Sequence, residues 1–256
     1  RDRDVTGVQT CALPIFFMGM KPAPFVSLTQ IPDFSPHQAE VLGTDAHLPS
    51  VPDAVLTPSG LQQRFSLKSP QSIAPVHEPR WTQAPLKPAS VLMGIVTRAQ
   101  PTLLLTLRTP HLSSHSGQVA LPGGRRDAQD ADDMATALRE AHEEVGLPAS
   151  SAQVLGCLPL YITGTGYQVT PVVALLSPDQ PWQPNPHEVA DVFEVPLAHL
   201  MNPANHWRHA VDWQGVRREW YSMPYPSSPP SHLIWGATAG MLRHLYRFLS
   251  DETRDA

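Results

Sequence analysis

The sequence predicts an α/β sandwich preceded by a proline-rich N-terminal extension. Three observations carry that prediction. The first is a concentration of proline near the start: thirteen of the 29 prolines fall in the first 90 of 256 residues. The second is a run of strand-like apolar segments from Ser90 onward. The third is a pair of segments with helical periodicity, one acidic and one apolar. Mixed strands with two principal helices bury their apolar faces by layering.

The N-terminal stretch Arg1 to Ile15 resembles the translated read-through of a sequencing adapter and is set aside from fold reasoning. On that reading Cys11 is not native and Cys157 is the one genuine thiol. Cys157 lies in the apolar run VLGCLPL, which favours a buried, inert thiol over a nucleophile. Residues 16–88 are rich in Pro, Ser and Ala. One short helix is expected there, with Thr57 as N-cap, Pro58 at the first position and Leu61 and Phe65 on one side. The remainder is expected to run extended along the body without a catalytic constellation.

In the body, SVLMGIVTR and TLLLTLR are strand-like and joined by AQP, a hairpin signal. HSGQVALPGG is expected to be a short strand ending in a glycine turn. DADDMATALREAHEEVG is expected to be a helix, capped by Asp130 or Asp132 and stopped by Gly146. Further strands are expected at AQVLGCLPLY, VTPVVALL, DVFEVPL, HAVDW and REWYSMPY. The final segment LIWGATAGMLRHLYRFL places Ile234, Met241, Leu245 and Phe248 at helical spacing, which predicts a helix packed on the body. A body of residues 89–250 and a short tail, 251–256, complete the expected organisation.

The net charge of -5 and the lack of a basic block point away from nucleic acid. Apolar runs are too short to span a bilayer, so no membrane partner is expected. Two cysteines make no disulfide framework, and a reducing, cytoplasmic setting is the default.

The acidic segment carries the chemistry. At 100° per residue, Glu144 lies about 40° from Glu140 on one side and Glu143 about 60° on the other. Met134, Leu138, Ala141 and Val145 cluster on the opposite face, which is expected to meet the core. His142 points away, at about 200°. Arg139 and Glu143 are four apart and can pair. Glu140 and Glu144 repel by roughly 3 kcal/mol at about 5.5 Å and an effective dielectric of 20. An exposed helical ion pair returns only about 0.3–0.5 kcal/mol. A hard divalent cation, Mg²⁺ or Mn²⁺, could balance such a cluster in an enclosed site. A solvated acidic face is the alternative. LPGG just upstream favours the cation, because glycines let backbone approach a ligand closely.

GGRRDAQDADDMATALREAHEEVGL, Gly123 to Leu147, resembles the Nudix box. The match is complete from Arg139 to Leu147, with Ala141 at the apolar position. Upstream, Asp130 stands in place of the usual Glu, and one extra residue precedes Arg139. That departure, and LLTLRTPHLSSHSGQVALPGG from Leu104 to Gly124, resemble the coenzyme A pyrophosphatase branch; Arg108, His115, Gly117 and Gln118 fit its pattern, and Leu121 replaces a usual Phe. Likeness extends to TGTGYQVTPVVALL, HEVADVFEVPL and IWGATAG, covering roughly residues 90–250.

The resemblance implies a Nudix-type α/β/α sandwich with a mixed sheet, and a metal-dependent hydrolase of coenzyme A or acyl-coenzyme A. The products would be 3′,5′-ADP and 4′-phosphopantetheine. It implies Glu140 and Glu144 as metal ligands, Glu143 as ligand or neighbour, a carbonyl of Gly123 or Gly124 as a further ligand, and Arg139 as their organiser. Glu143 or Glu144 would position or deprotonate water. Glu188 is a remote candidate for that task, and a structural strand-edge acid is the favoured reading for it. Asp130 is equally a metal-site residue or a helix cap. Arg108, Arg125 and Arg126 are candidates for the 3′-phosphate, the last two equally as surface arginines. Gln118 is a further substrate candidate, His115 a turn or supporting residue, and Tyr167 a possible substrate contact. The partner is a small-molecule diphosphate, with room for a homodimer. Two rivals stand beside this reading: a Nudix hydrolase for ADP-ribose or another nucleoside diphosphate derivative, and a catalytically silent Nudix-fold binding module.

Overall fold

The computed structural model describes residues 28–80, 82–112, 115–226 and 232–250. The adapter-like stretch with Cys11 and the tail 251–256 lie outside the described residues. In chain order the elements are β1 (Val41–Thr44), α1 (Pro58–Leu67), β2 (Val76–His77), β3 (Lys87–Val96), β4 (Thr102–Arg108), β5 (Val119–Ala120), β6 (Gly123–Arg125), α2 (Asp133–Val145), β7 (Ala152–Cys157), β8 (Tyr161–Ile162), β9 (Tyr167–Leu176), β10 (Val189–Pro196), α3 (Leu197–Leu200), β11 (Trp207–Trp213), β12 (Val216–Tyr225), β13 (His232–Trp235) and α4 (Gly236–Ser250).

The fold is α/β, as expected. A mixed sheet runs β10-β4-β3-β9-β8-β2, with β5 on β4, β6 on β3 and β7 on β9. Its spine is the parallel pair β3 and β9, in unbroken register from Lys87 opposite Tyr167 to Val96 opposite Leu176. Both strands are apolar on both faces, as a strand covered on two sides must be. On one face Leu92, Val96, Val172, Ala174 and Leu176 meet Ala137, Ala141 and Val145 of α2. On the other, Met93, Ile95, Val173 and Leu175 meet Met241, Leu245 and Phe248 of α4. The β3–β4 hairpin forms at the expected place, with Ile95 opposite Leu103.

Helix α1 starts as its sequence dictates: Thr57 accepts from the Gly60 amide at 3.0 Å, with Pro58 at the first position. Around it the proline-rich segment does more than run alongside the body. β2 pairs in parallel with β8, and β1 joins a second, four-stranded antiparallel sheet, β1-β11-β12-β13.

Three expectations are corrected. The double glycine is not a turn; Gly123–Arg125 form a strand antiparallel to β3. AQVLGCLPLY divides into β7 and β8. The last helix starts three residues late, since Leu233, Ile234 and Trp235 belong to β13, paired with β12. Gly236, at φ 62°, separates the two, a conformation that side chains with a Cβ resist. Ile234 is therefore buried from a strand, whereas Met241, Leu245 and Phe248 are buried from the helix. No helix of the described residues is long and apolar enough to cross a membrane.

Candidate active site

Helix α2 is fixed at both ends. Asp132 caps its start, accepting from the Ala135 amide at 2.8 Å. Gly146 ends it in the left-handed conformation, φ 71°, with its amide on the carbonyls of Ala141 and His142. Ala141 and Val145 are buried as expected, but Met134 is 38% exposed. The first turn stands at the margin of the sheet, tied there by the Thr170 hydroxyl donating to Asp133 at 2.9 Å. His142 turns from the carboxylates toward the Leu147 carbonyl, at 3.2 Å.

The carboxylates are organised around Arg139. Its guanidinium meets both oxygens of Asp130, at 2.9 and 3.0 Å, one oxygen of Glu143 at 3.0 Å and one of Glu140 at 3.0 Å. It also donates to the Arg125 carbonyl at 3.0 Å. Glu143 is thus one of three acidic partners rather than the sole one. Asp130 is not the helix cap, a place that Asp132 takes. Besides Arg139 it receives the Asp127 amide and the Thr136 hydroxyl, and the Arg139 bond holds it well below the usual carboxylate range. The inserted residue lets this loop carboxylate fold back and brace the arginine from outside the helix.

Glu140 and Glu144 press against β6. A Cβ on Gly124 would stand 2.4 Å from the Glu140 carboxyl, and one on Gly123 would stand 2.4 Å from the Ser90 carbonyl. Only glycine permits both contacts. The Gly123 amide donates to Glu144 at 3.2 Å, and Arg108 faces the other oxygen at 3.7 Å. Glu144 is 3% exposed. Burial pushes it up to about 7; Gly123 and Arg108 pull it down, and the charges of Glu140 and Glu188 push it further up. Burial raises Glu140 as well, opposed by Arg139. Glu188, favoured from sequence as a structural acid, stands immediately before β10 with its field on both Glu140 and Glu144.

The remaining candidates separate. His115 adopts φ 56° and its Nδ1 meets Gln118 at 3.0 Å; the Gln118 carbonyl accepts the Arg108 amide at 3.0 Å. Of these three, Arg108 stands against Glu144, whereas the charge of His115 acts on Glu78. Arg126 is engaged by Asp133 at 3.6 Å and by the Ala131 carbonyl at 3.0 Å. Arg125 is exposed. Tyr167 opens β9 with the Lys87 ammonium 5.7 Å from its ring centre. Cys157 is half-buried, and burial raises its thiol. Sequence reasoning missed Glu78. Its carboxylate accepts the Tyr161 hydroxyl at 2.6 Å and the Gly164 amide at 2.8 Å. No local pattern signals a residue whose partners lie some eighty positions away.

The donor set is carboxylate and carbonyl oxygen without thiolate or imidazole, which suits a hard divalent cation. Glu144 has one amide and one distant arginine to offset its charge, so a cation fits its surroundings. Among the described residues no three Asp, Glu, His or Cys side chains enclose a common point. Arg139 draws Glu140 and Glu143 one way, while Gly123 and Arg108 hold Glu144.

Comparison with known proteins bears on this constellation. The NUDIX domain family matches residues 87–219. The chain is similar to the uncharacterized Nudix hydrolase NudL of Escherichia coli K12, 46% identical over 162 residues, 61% of this chain and 80% of the relative. It is similar to the NudL of Shigella flexneri, 42% identical over 197 residues, 74% of this chain and 93% of the relative. Among solved structures, the Nudix hydrolase RenU from M. smegmatis is 27% identical, with a TM-score of 0.38, covering 49% of this chain and 73% of that one.

Proposed function

This chain belongs to the Nudix family of hydrolases, and from that premise we propose that it cleaves the diphosphate of coenzyme A or an acyl-coenzyme A to 3′,5′-ADP and the (acyl-)4′-phosphopantetheine. One observation carries the substrate reading. Both ends of the stretch that resembles the coenzyme A pyrophosphatase branch meet the acid helix: Arg108 stands 3.7 Å from Glu144, and the Gly123 amide donates to Glu144 at 3.2 Å.

Glu140, Glu144 and the Gly123 carbonyl would hold Mg²⁺ or Mn²⁺, with Glu143 beside them. Bound there, the ion supplies charge neutralisation of the diphosphate and an acidified water. The protein's own groups do the rest. Arg139 keeps Glu140 and Glu143 on one side of the helix while Asp130 braces it. Arg108 faces the diphosphate oxygens. Glu143, 53% exposed with one oxygen on Arg139, accepts a proton from the attacking water as the bond to the bridging oxygen breaks. Glu188, whose charge acts on both Glu140 and Glu144, is the second and more remote candidate for that task.

The test is direct. The protein is incubated with Mg²⁺ or Mn²⁺ and either coenzyme A or ADP-ribose, and the products are separated. Release of 3′,5′-ADP from coenzyme A is expected. No release, alongside rapid ADP-ribose cleavage, overturns the substrate reading.

A further inference from the structure

Three cations at the end of the sheet have no task in the mechanism above: Arg80, Lys87 and Arg125. Strand register brings them together. Lys87 pairs with Tyr167, and Ala89 lies between Arg125 and Val169. Opposed residues of paired strands share a face, and alternate residues along a strand share it too. Arg125, Lys87 and Tyr167 therefore emerge on one side of the sheet end, with the Lys87 row about 7 Å beyond the Arg125 row. Arg80 reaches the same place from the proline-rich segment. A Cβ on Gly166, next to Tyr167, would lie 3.9 Å from its Nη2. That nitrogen donates to the Ala84 carbonyl, and the Nε is buried without a partner.

None of the three pairs with a carboxylate among the described residues, whereas Arg98, Arg126, Arg139, Arg217 and Arg243 all do. The platform is also stiff. Glu78 holds Tyr161 and the Gly164 amide, and the Thr163 hydroxyl accepts the Tyr167 amide at 3.0 Å. Unpaired cations around an aromatic ring make a field for an anion and a face for a planar group. Arg125 faces the side of the sheet opposite to Gly124 and the Glu140 it touches, while its backbone carbonyl accepts from Arg139 at 3.0 Å, so the patch adjoins the acid site around the end of the sheet.

We propose that Arg80, Lys87 and Arg125, with the Tyr167 ring, form a subsite for a phosphate monoester on the nucleoside half of the substrate, separate from the diphosphate that is cleaved. A phosphate dianion spans two or three such donors. Two of the three cations come from the proline-rich segment, which gives that segment a part in binding. The inference rests on the coenzyme A reading, whose adenosine carries such a phosphate.

Calorimetric titration of 3′,5′-ADP and of AMP into the full-length protein separates the two ideas. The wild type is expected to favour 3′,5′-ADP by about tenfold or more. Lys87→Ala and Arg125→Ala should each cut that preference severalfold, and the double variant should erase it. Lys87→Arg should keep most of it. An unchanged melting temperature confirms the fold, and Lys87→Ala alone decides if Arg125→Ala disturbs β6. A wild type without preference, or a double variant that retains it, overturns the subsite even if coenzyme A is hydrolysed. A preference that depends on these residues in a protein that spares coenzyme A keeps the subsite and overturns the substrate reading.

Discussion

Glu144 and Asp45 are both buried carboxylates, 3% and 2% exposed, and each has two basic or amide partners. Their surroundings differ. Asp45 takes Arg243 at 2.6 Å and Arg208 at 3.7 Å, joining the segment after β1 to β11 and α4. Its Arg243 also lies over the Tyr221 ring at 4.6 Å. Glu144 has one amide at 3.2 Å, one arginine at 3.7 Å, and the repelling charges of Glu140 and Glu188. A closely paired buried charge holds parts of a fold together. An under-paired one, pushed up to about 7, is available for a ligand.

Replacing each carboxylate pulls the two regions apart. Glu144→Gln should lower turnover by about 10³-fold, or about 4 kcal/mol of barrier, while changing the stability of the metal-free protein by about 1 kcal/mol or less. Product release and urea unfolding measure both; near wild-type turnover sinks the role assigned to Glu144. Asp45→Ala should do the reverse, destabilising by about 3 kcal/mol through the stranded Arg243. A urea midpoint matching a loss below about 1 kcal/mol would show that Asp45 is not the tie described.

Acid sharpens the contrast from the α4 side. Burial pushes His244 down to about 4, with the Arg247 charge adding to it. The unfolded chain protonates this residue near 6.5. The folded state therefore binds fewer protons between those values, and stability present above 6.5 is lost as pH falls toward 4. The loss reaches up to about 3 kcal/mol. Urea unfolding across that window should slope more steeply for wild type than for His244→Gln. Equal slopes refute the assignment.

Much of this was legible in the residues. The α2 boundaries, the carboxylate face and the β3–β4 hairpin follow from caps, periodicity and spacing. What failed had physical causes. The run LIW is too short for periodicity to separate strand from helix, and its pairing with β12 decides. Asp130 could not be placed, because its partner is reached through a loop whose path depends on an inserted residue. Arg126 looked available until Asp133 and the Ala131 carbonyl claimed it. Glu78 and Arg80 gain their neighbours only when β2 docks on β8.

The parallel pairing of β3 with β9 has a consequence in time. Its partners lie eighty residues apart, and the chain between them carries β4, β5, β6, α2, β7 and β8. Closing so long a loop before any contact rewards it makes such pairing slow. On the ribosome the acid helix can be synthesised and coiled early. It cannot seat against a completed sheet until Leu176 has emerged. The glycine edge and its carboxylates are therefore assembled late, after most of the polypeptide that frames them already exists.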